Sequence, residues 1–414
     1  MTGSIANSLP LTLAVAQTKN IGDSYIVNMI DLSTRHESSL QQRQDANLRR
    51  RLRSAVPLGD MRIQLDGREL INFASNDYLG LTNSPHLKER AAAYAFKYGA
   101  GSGASRLVSG NLELYEKIES QLAKLKGTES ALVLSSGFQT NVSCLSALAS
   151  NKSRVFCDRF SHNSILQGAI LGGGRWTRFQ HNDLDDLKKR LKRDPAREVG
   201  DKWILTESVF SMDGDVTNLD ALIKLTKENG AHLFVDEAHA TGVAGERGMG
   251  LTAGKKGIDL VMGTFSKACG SFGGYVACSK ATREFLINFC SGLIYSTALP
   301  PPVLGSIEAA LELIPDLDAE RERLNRYGDY VRQQLKDLEI STGNSVSQII
   351  PIILGSEIDA LELSRYLEEK GIFAPAIRPP TVPANSARVR VSLSAAHSEA
   401  QIEQLIEAIR NWKK

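Results

Sequence analysis

The stretch HLFVDEA, at residues 232–238, decides the fold. Its apolar residues lead directly into an acidic pair, which is typical of a buried strand that ends at the edge of a sheet. Four more runs of this kind occur in the middle of the chain: SALVLSS (130–136), RVFCD (154–158), KWILTES (202–208) and LVMGTFS (260–266). Because helical patterns separate these runs, the sequence predicts an α/β fold with a mostly parallel open sheet and helices on both faces.

Local signals mark several other elements. LYEKIESQLAKLKG (114–127) and LDALIKLTKENG (219–230) are helical patterns that close with glycine, a common residue at a helix C-terminus. Upstream of the sheet, LQQRQDANLRRRLR (40–53) predicts an exposed amphipathic helix. IQLDGRELINF (63–73) predicts a type I′ hairpin around its Asp-Gly pair.

The chain is expected to divide into three parts. A length of 414 residues is too great for one hydrophobic core, and the prolines of LPPPV (299–303) mark a break because they cannot continue a helix. Beyond the break we expect helices within 305–340, 358–370 and 398–412, and strands at 349–354 and 387–393. The predicted parts are an N-terminal extension, helix and hairpin arm (1–75), a large α/β domain (76–300) and a smaller C-terminal α+β domain (301–414).

Composition excludes several classes of partner. The chain has 49 Lys+Arg against 47 Asp+Glu, so no broad field draws it to nucleic acid or to an anionic membrane. The basic cluster at residues 49–53 is interpreted as the solvated face of a helix. No apolar run reaches the length that spans a bilayer. The N-terminal residues lack the basic segment of a secretory signal, and a start at Met29, which would make residues 1–28 an extension, stays open.

The five cysteines point to a reducing compartment. They form no C-x-x-C pair, so zinc spacing is absent and no metal site is expected. Their odd number argues against a complete disulfide framework. We therefore expect reduced thiols in a cytoplasmic protein.

Chemistry-bearing residues fall where strands end. In an open parallel sheet, ligands bind at the carboxyl ends of the strands. The residues at such ends are Asp236 with His239, Lys267, Ser211 and the run Ser136-Gly137-Phe138. This set suits pyridoxal phosphate: a carboxylate keeps the pyridine nitrogen protonated, a lysine amine forms a Schiff base, and small residues at a helix start suit a phosphate.

Two stretches of the sequence also resemble nucleotide-binding motifs, but neither has the surroundings that such a motif requires. VDEAH (235–239) also resembles the acidic motif of helicases, but GK occurs only at Gly254-Lys255, with Met249 where a phosphate loop needs its first glycine. GAGSGA (99–104) imitates a dinucleotide-binding fingerprint, yet it follows a helical stretch and lacks a clear acidic partner.

Taken in order, the motifs resemble those of the α-oxoamine synthases, within the fold-type I pyridoxal-phosphate enzymes. The resemblance runs from about residue 40 to the C-terminus. It rests on NFASNDYLGL (72–81), YGAGSGASRLVSGN (98–111), SSGFQTN (135–141), SHNSI (161–165), ESVFSMDGD (207–215), VDEAHATGV (235–243), GTFSKACGSFGG (263–274), YSTALPPP (295–302) and IRPPTVPANSARVRVSLSAAHS (377–398).

The resemblance implies roles for the residues that match these motifs. Lys267 would hold pyridoxal 5′-phosphate as a Schiff base and act as acid and base. Asp236 would pair with the ring nitrogen, His239 with the ring hydroxyl, and His162 would stack on the ring. The remaining cofactor contacts would come from Gly137, Phe138, Ser211 and Thr264.

Substrate contacts are also implied. Arg390 would clamp the amino-acid carboxylate, because a guanidinium fork binds a carboxylate bidentately. The alternative for Arg390 is a surface position on a strand. Asn76 would also contact substrate, and the acyl chain would be held by Thr381 with either Arg49 or Arg50, between which the sequence does not decide.

The implied reaction is a decarboxylative condensation of L-alanine with a pimeloyl thioester of coenzyme A or of an acyl carrier protein, carried out by a homodimer. Two alternatives remain open. A sister enzyme would use glycine with an acetyl thioester or serine with a palmitoyl thioester, and a non-catalytic protein would keep only the fold.

Overall fold

A computed structural model describes residues 31–193 and 200–413. The chain divides into two units between Arg51 and Leu52. The described part of the first unit contains helix α1 (Leu32–Asp45). The predicted extension at residues 1–28 lies outside the described residues.

The helix predicted at 40–53 was placed too far downstream. It begins after Asp31, whose carboxylate caps it by accepting hydrogen bonds from the backbone N of Ser33 (3.1 Å) and Thr34 (3.3 Å). After the helix, Asn47 has a φ of 55°, in the left-handed region, so the helix cannot run on into the arginines. The arginine cluster is therefore not a helix face, and Arg53 instead pairs with Asp66 at 2.6 Å and Glu368 at 2.7 Å.

The second unit opens with the predicted hairpin. Strands β1 (Ala55–Gly59), β2 (Arg62–Leu65) and β3 (Arg68–Asn72) are antiparallel neighbours. Asp66 and Gly67 both have positive φ, 50° and 84°, which confirms the type I′ turn. The later segment Ile372–Phe373 pairs in parallel with β3, so the hairpin shares a sheet with the C-terminal region.

Within residues 31–193 and 200–413, the central sheet has seven strands in the order β4-β10-β9-β8-β7-β5-β6. Five were predicted, whereas β6 and β10 were not. Only β10 is antiparallel to its neighbours, so the prediction of a mostly parallel sheet is confirmed. The strands are β4 (Ser130–Leu134), β5 (Arg154–Asp158), β6 (Arg175–Phe179), β7 (Lys202–Glu207), β8 (His232–Asp236), β9 (Leu260–Thr264) and β10 (Gly274–Cys278).

Helices lie before, between and after these strands. The two predicted from their glycine ends are present as α3 and α7, and Gly127 adopts the left-handed conformation that ends α3. The helices of this region are α2 (Pro85–Tyr98), α3 (Glu113–Lys126), α4 (Gly137–Leu148), α5 (Asn163–Leu171), α6 (Leu184–Arg193), α7 (Leu219–Glu228), α8 (Lys280–Phe289) and α9 (Ser291–Ile294). Short 3₁₀ turns occupy Leu81–Asn83 and Glu246–Gly248, and a π-helix occupies Arg106–Gly110.

The C-terminal region has the predicted mixture of helices and strands. The prolines at the break do not only prevent a helix from continuing, because α10 begins at Pro301. Proline is tolerated at the first helical position, where a backbone N–H would have no partner within the helix. A 3₁₀ turn follows at Ile314–Asp316. The elements are α10 (Pro301–Leu313), α11 (Asp318–Asp337), β11 (Ile349–Gly355), α12 (Glu357–Glu369), β12 (Ile372–Phe373), β13 (Ala376–Ile377), β14 (Ala387–Ser392) and α13 (Glu399–Lys413). Strands β11, β14 and β13 form an antiparallel sheet.

Apolar packing holds the second unit together. Every residue of β4, β9 and β10 is buried, as expected of strands that are covered on both faces. One core extends from Phe73 through Phe265 to Val389 and so includes side chains of the hairpin, the central sheet and the C-terminal sheet. In the portion of the chain that is described, no helix has both the length and the apolar character needed to cross a membrane.

Candidate active site

The sheet brings acidic residues together where its parallel strands end. Glu207 ends β7 and Asp236 ends β8, and these two residues lie opposite each other in the β7–β8 register. Asp236 is in turn paired with Met262 of β9, the strand that precedes Lys267. The predicted lysine and carboxylate therefore lie at one edge of one sheet, as the topology requires.

Lys267 contacts the imidazole of His239. The distance between Lys267 Nζ and His239 Nε2 is 2.7 Å. Burial lowers the pKa of Lys267 to about 8, although the carboxylates of Asp236 and Glu207 act to raise it. A lysine with this pKa supplies a neutral, nucleophilic amine near physiological pH.

Asp236 is held in one orientation. It is 3% exposed. Its Oδ1 accepts from the backbone N of Ala238 and its Oδ2 from Asn141 Nδ2, each at 2.8 Å. A fixed, buried carboxylate of this kind suits a protonated pyridine nitrogen.

His239 is a neutral imidazole with partners on both ring nitrogens. Besides Lys267, it contacts the hydroxyl of Tyr78, 2.6 Å from Nδ1. Burial holds the pKa of His239 well below its usual range, and the nearby cations of Lys267 and Arg390 lower it further. Its main-chain carbonyl accepts from Gln348 Nε2 at 2.9 Å, which fixes the backbone as well.

His162 is the N-cap of α5. Its backbone N donates to Glu207 Oε1 at 2.5 Å, and its Nδ1 lies 2.7 Å from Ser164 Oγ. The ring meets that of Phe138 edge-on, with 6.3 Å between centroids. Two elements thus hold the imidazole beside the start of α4.

The start of α4 leaves no room for larger side chains. A Cβ on Gly137 would lie 3.3 Å from Cβ of Thr264, and one on Gly274 would lie 2.9 Å from the backbone N of Gly137. Thr264 Oγ1 is 2.7 Å from Ser266 Oγ, so two hydroxyls lie together beside a helix N-terminus. Backbone donors and hydroxyls in this arrangement fit the phosphate of pyridoxal phosphate.

Arg390 is buried, at 5% exposure, so the alternative of a surface position on β14 is wrong. Its Nε donates to the carbonyl of Ser211 at 2.7 Å and its Nη1 to Ser392 Oγ at 2.5 Å. Its Nη2 donates to Asn76 Oδ1 at 3.2 Å. The structure thus joins three of the predicted residues, Arg390, Asn76 and Ser211, in one hydrogen-bonded group.

The acyl chain was assigned to Thr381 with either Arg49 or Arg50. Thr381 is exposed, in the loop between β13 and β14, and its backbone N donates to the carbonyl of Arg378 at 3.1 Å. Arg49 and Arg50 belong to the first unit. Their roles stay predictions.

Sequence reasoning missed four residues of the site. They hold the predicted residues in place: Tyr78, Asn141, Ser164 and Glu207. Each stands inside a motif quoted above. The partners of Tyr78, Asn141 and Glu207 are distant along the chain, whereas Ser164 contacts His162 two positions away. The signal that was available is chemical, since each is a polar residue within a mainly buried segment.

Comparisons with known proteins identify the family of this chain. The family model of class I and II aminotransferases matches residues 68–409. An 8-amino-7-oxononanoate synthase of Gluconacetobacter diazotrophicus is 49% identical over 360 residues, which cover 85% of this chain and 90% of that protein.

Solved structures give the same result. The serine palmitoyltransferase of Sphingomonas wittichii superposes with a TM-score of 0.86 at 31% identity, covering 92% of this chain and 98% of that one. The 8-amino-7-oxononanoate synthase of Francisella tularensis superposes with a TM-score of 0.72 at 29% identity, covering 83% and 97%. The chain therefore belongs to the class I and II aminotransferase family of fold-type I pyridoxal-phosphate enzymes, and within it to the α-oxoamine synthases.

Proposed function

We propose that this protein catalyses the 8-amino-7-oxononanoate synthase reaction of biotin biosynthesis. L-Alanine condenses with a pimeloyl thioester, and carbon dioxide and the free thiol are released. The observation that carries the proposal is the joining of a lysine amine of lowered pKa, through His239 and Tyr78, to the buried fork of Arg390. Relatives that bear this activity support the choice of substrates.

The residues present fit pyridoxal phosphate. When bound, it supplies an electron-accepting ring that stabilises negative charge on the α-carbon of the amino acid. Lys267 would hold it through Nζ, Asp236 would face the ring nitrogen, His239 the ring hydroxyl, and His162 the ring face. The phosphate and the neighbouring part of the cofactor would be contacted by Gly137, Phe138, Thr264 and Ser211.

Lys267 moves the proton of the reaction. Its free amine would take the α-proton of L-alanine and later return a proton to the product. Because burial lowers the pKa of Lys267 to about 8, the amine is available as a base at mildly alkaline pH.

Arg390 orients the amino acid. Its Nε and Nη1 are held by the Ser211 carbonyl and Ser392 Oγ, so the guanidinium is fixed before substrate arrives. A carboxylate that binds the fork beside Asn76 fixes the amino acid at one end. This would let Lys267 act on the bond from Cα to hydrogen.

The acyl substrate is assigned to residues outside this group. Thr381, with Arg49 or Arg50, would hold the pimeloyl chain, and the thiol would belong to coenzyme A or to an acyl carrier protein. Comparing the two pimeloyl thioesters at equal concentration would identify the carrier.

We further propose that the protein is a cytoplasmic homodimer. Several large apolar side chains are exposed, among them Leu107 (53%), Val108 (80%), Phe272 (51%) and Tyr295 (84%). Exposed apolar side chains of this kind would be covered by a second copy of the chain. Sedimentation should give twice the chain mass of 45.1 kDa. The five cysteines, all buried and free, support the cytoplasmic assignment.

A substrate panel tests the function. L-Alanine, glycine and L-serine are each offered with pimeloyl, acetyl and palmitoyl thioesters, and kcat/KM is measured. Alanine with pimeloyl should give the highest value. The structural likeness to serine palmitoyltransferase makes serine with palmitoyl the main rival, and a preference for that pair would overturn the substrate assignment.

A further inference from the structure

The imidazole of His181 lies between two segments that carry residues of the site. His181 stands in the turn between β6 and α6. One segment begins at Asp158, the last residue of β5, and reaches His162, whereas the other follows β7 and contains Ser211 and Asp215. No step of the proposed reaction uses His181, although its side chain is only 16% exposed. Its contacts reach both segments.

Both nitrogens of the His181 ring contact carboxylates. Nδ1 is 2.9 Å from Asp158 Oδ1, and Nε2 is 2.7 Å from Asp215 Oδ2. Both acidic residues are buried. An ionised carboxylate only accepts hydrogen bonds, so a ring that donates to both of them must carry a hydrogen on each nitrogen. The geometry therefore fits an imidazolium that bridges two buried carboxylates.

The surroundings favour the charged forms of all three groups. Asp158 also accepts from the backbone N of Phe160 and of Asn182, each at 2.8 Å, and Asn182 Nδ2 donates to Asp215 Oδ2 at 2.7 Å. Hydrogen bonds of this kind favour an ionised carboxylate. Burial acts to lower the pKa of His181, but the two carboxylates outweigh burial and raise this pKa to about 10. His181 therefore carries a positive charge at neutral pH.

Two phenylalanines enclose the same ring. Phe160 stacks on the imidazole with 4.4 Å between centroids, and Phe210 meets it edge-on, also at 4.4 Å. Phe160 belongs to the segment of His162, and Phe210 directly precedes Ser211. Each segment thus contributes one aromatic ring and one carboxylate to the surroundings of His181.

Backbone hydrogen bonds extend this bridge to the site. The carbonyl of Asp158 accepts, at 3.1 Å, from the backbone N of the residue that precedes His162. The carbonyl of Asp215 accepts, at 3.0 Å, from the backbone N of the residue that precedes Ser211. The carbonyl of Ser211 in turn accepts from Arg390 Nε at 2.7 Å. The bridge therefore lies one residue away from the ring-face histidine and from the support of the carboxylate clamp.

We propose that His181 is a positioning residue which, as an imidazolium, ties the segment of His162 to the segment of Ser211 and sets the spacing between them. The inference rests on the proposed function for the roles of His162 and Ser211. A neutral side chain in place of His181 leaves two buried carboxylates without the cation between them. Their repulsion then loosens both segments, because like charges in a buried region are poorly screened.

The affinity of the apoenzyme for pyridoxal phosphate tests this positioning without turnover. His181→Gln should weaken that affinity roughly two- to tenfold, the loss of about one hydrogen bond. His232→Gln is the matched control: His232 also lies between two carboxylates, 3.1 Å from Asp259 and 4.0 Å from Asp201, but at the end of β8 opposite to Asp236. The control should bind like the wild type. An unchanged affinity in His181→Gln, or an equal loss in both variants, overturns the proposal.

The pH dependence of the same affinity tests the charge. Dividing the affinity of the wild type by that of His181→Gln cancels the titrations that both proteins share, including those of the cofactor and of the lysine that holds it. This ratio should fall toward one as the pH rises through about 10, where His181 loses its proton. The charged groups on the ring or on the adjacent Gln180 are the same in both proteins: Asp158, Asp215, Arg159 and Asp186. A ratio that does not change with pH indicates an uncharged packing role and overturns the proposal.

A measurement on the wild type covers the case in which His181→Gln does not fold. Nitrogen-15 NMR of holoenzyme labelled at histidine should show both ring nitrogens of His181 protonated at about pH 8, where an ordinary histidine is neutral. Nuclear Overhauser contacts with the stacked ring of Phe160 assign the signal. An unprotonated nitrogen overturns the proposal. A preference for serine with palmitoyl in the substrate panel would leave all these readouts unchanged, so the two failures are distinguishable.

Discussion

Replacing Arg390 by lysine tests the carboxylate clamp. Arg390 is buried, and its guanidinium donates to the Ser211 carbonyl at 2.7 Å, to Ser392 Oγ at 2.5 Å and to Asn76 Oδ1 at 3.2 Å. Lysine keeps the positive charge but offers a point charge in place of a planar fork. The substitution should therefore remove at least one charge-assisted hydrogen bond to the substrate carboxylate.

The size of the effect follows from that loss. A hydrogen bond to a charged group contributes about 1.5–3 kcal/mol. Steady-state assays at saturating pimeloyl thioester should therefore show kcat/KM for L-alanine lowered by roughly 10- to 150-fold. The KM of the thioester should stay close to the wild-type value, because Arg390 is assigned to the amino acid alone.

Arg388→Lys is the matched control. Arg388 lies on the same strand and the same face as Arg390, is equally buried, and donates to Asp213 Oδ1 at 2.6 Å and to the Met212 carbonyl at 3.2 Å. This variant should keep the wild-type kcat/KM for L-alanine. The clamp is refuted if Arg390→Lys also keeps that value, or if both variants lower it equally.

Three further predictions concern residues around the site. Asn141→Leu removes the amide 2.8 Å from Asp236 and should weaken pyridoxal-phosphate affinity roughly tenfold, the loss of about one hydrogen bond to a charged group; unchanged affinity in an apoenzyme titration would contradict the role. Because the pKa of Lys267 is lowered to about 8, the rate at which apoenzyme takes up the cofactor should rise as pH increases through that value; a rise only near the usual lysine pKa would be contrary. Lys126→Met leaves Glu237 buried without its ion-pair partner and should lower the free energy of unfolding by about 3–5 kcal/mol, measured by denaturant titration; a loss below about 1 kcal/mol would reject the pair as a structural element.

The central strands could be predicted because buried strands appear in the sequence as runs of apolar residues. β8 and β9 carry continuous apolar residues, since helices cover both faces of the sheet. β6 was missed because RWTRF is an edge strand in which only Phe179 is buried. β10 was missed because GYVAC, although buried throughout, follows directly on the glycine-rich turn after Lys267.

The candidate site likewise contains some contacts that could be predicted from the sequence and others that could not. Topology places Asp236 and Lys267 at strand ends, so their proximity could be predicted from chain order alone. The hydrogen bond between Tyr78 and His239 joins residues 161 positions apart, and the one between Arg390 and Asn76 joins residues 314 positions apart. Such contacts depend on how segments distant along the chain pack against one another, which local patterns do not specify.

Borohydride reduction of the holoenzyme tests most directly whether Lys267 holds the cofactor. Reduction makes the bond between pyridoxal phosphate and its lysine permanent, and peptide mapping then identifies that lysine. We expect a single labelled peptide that contains Lys267, and no label in Lys267→Ala treated in parallel. Label on any other lysine, or label that persists in Lys267→Ala, would contradict it.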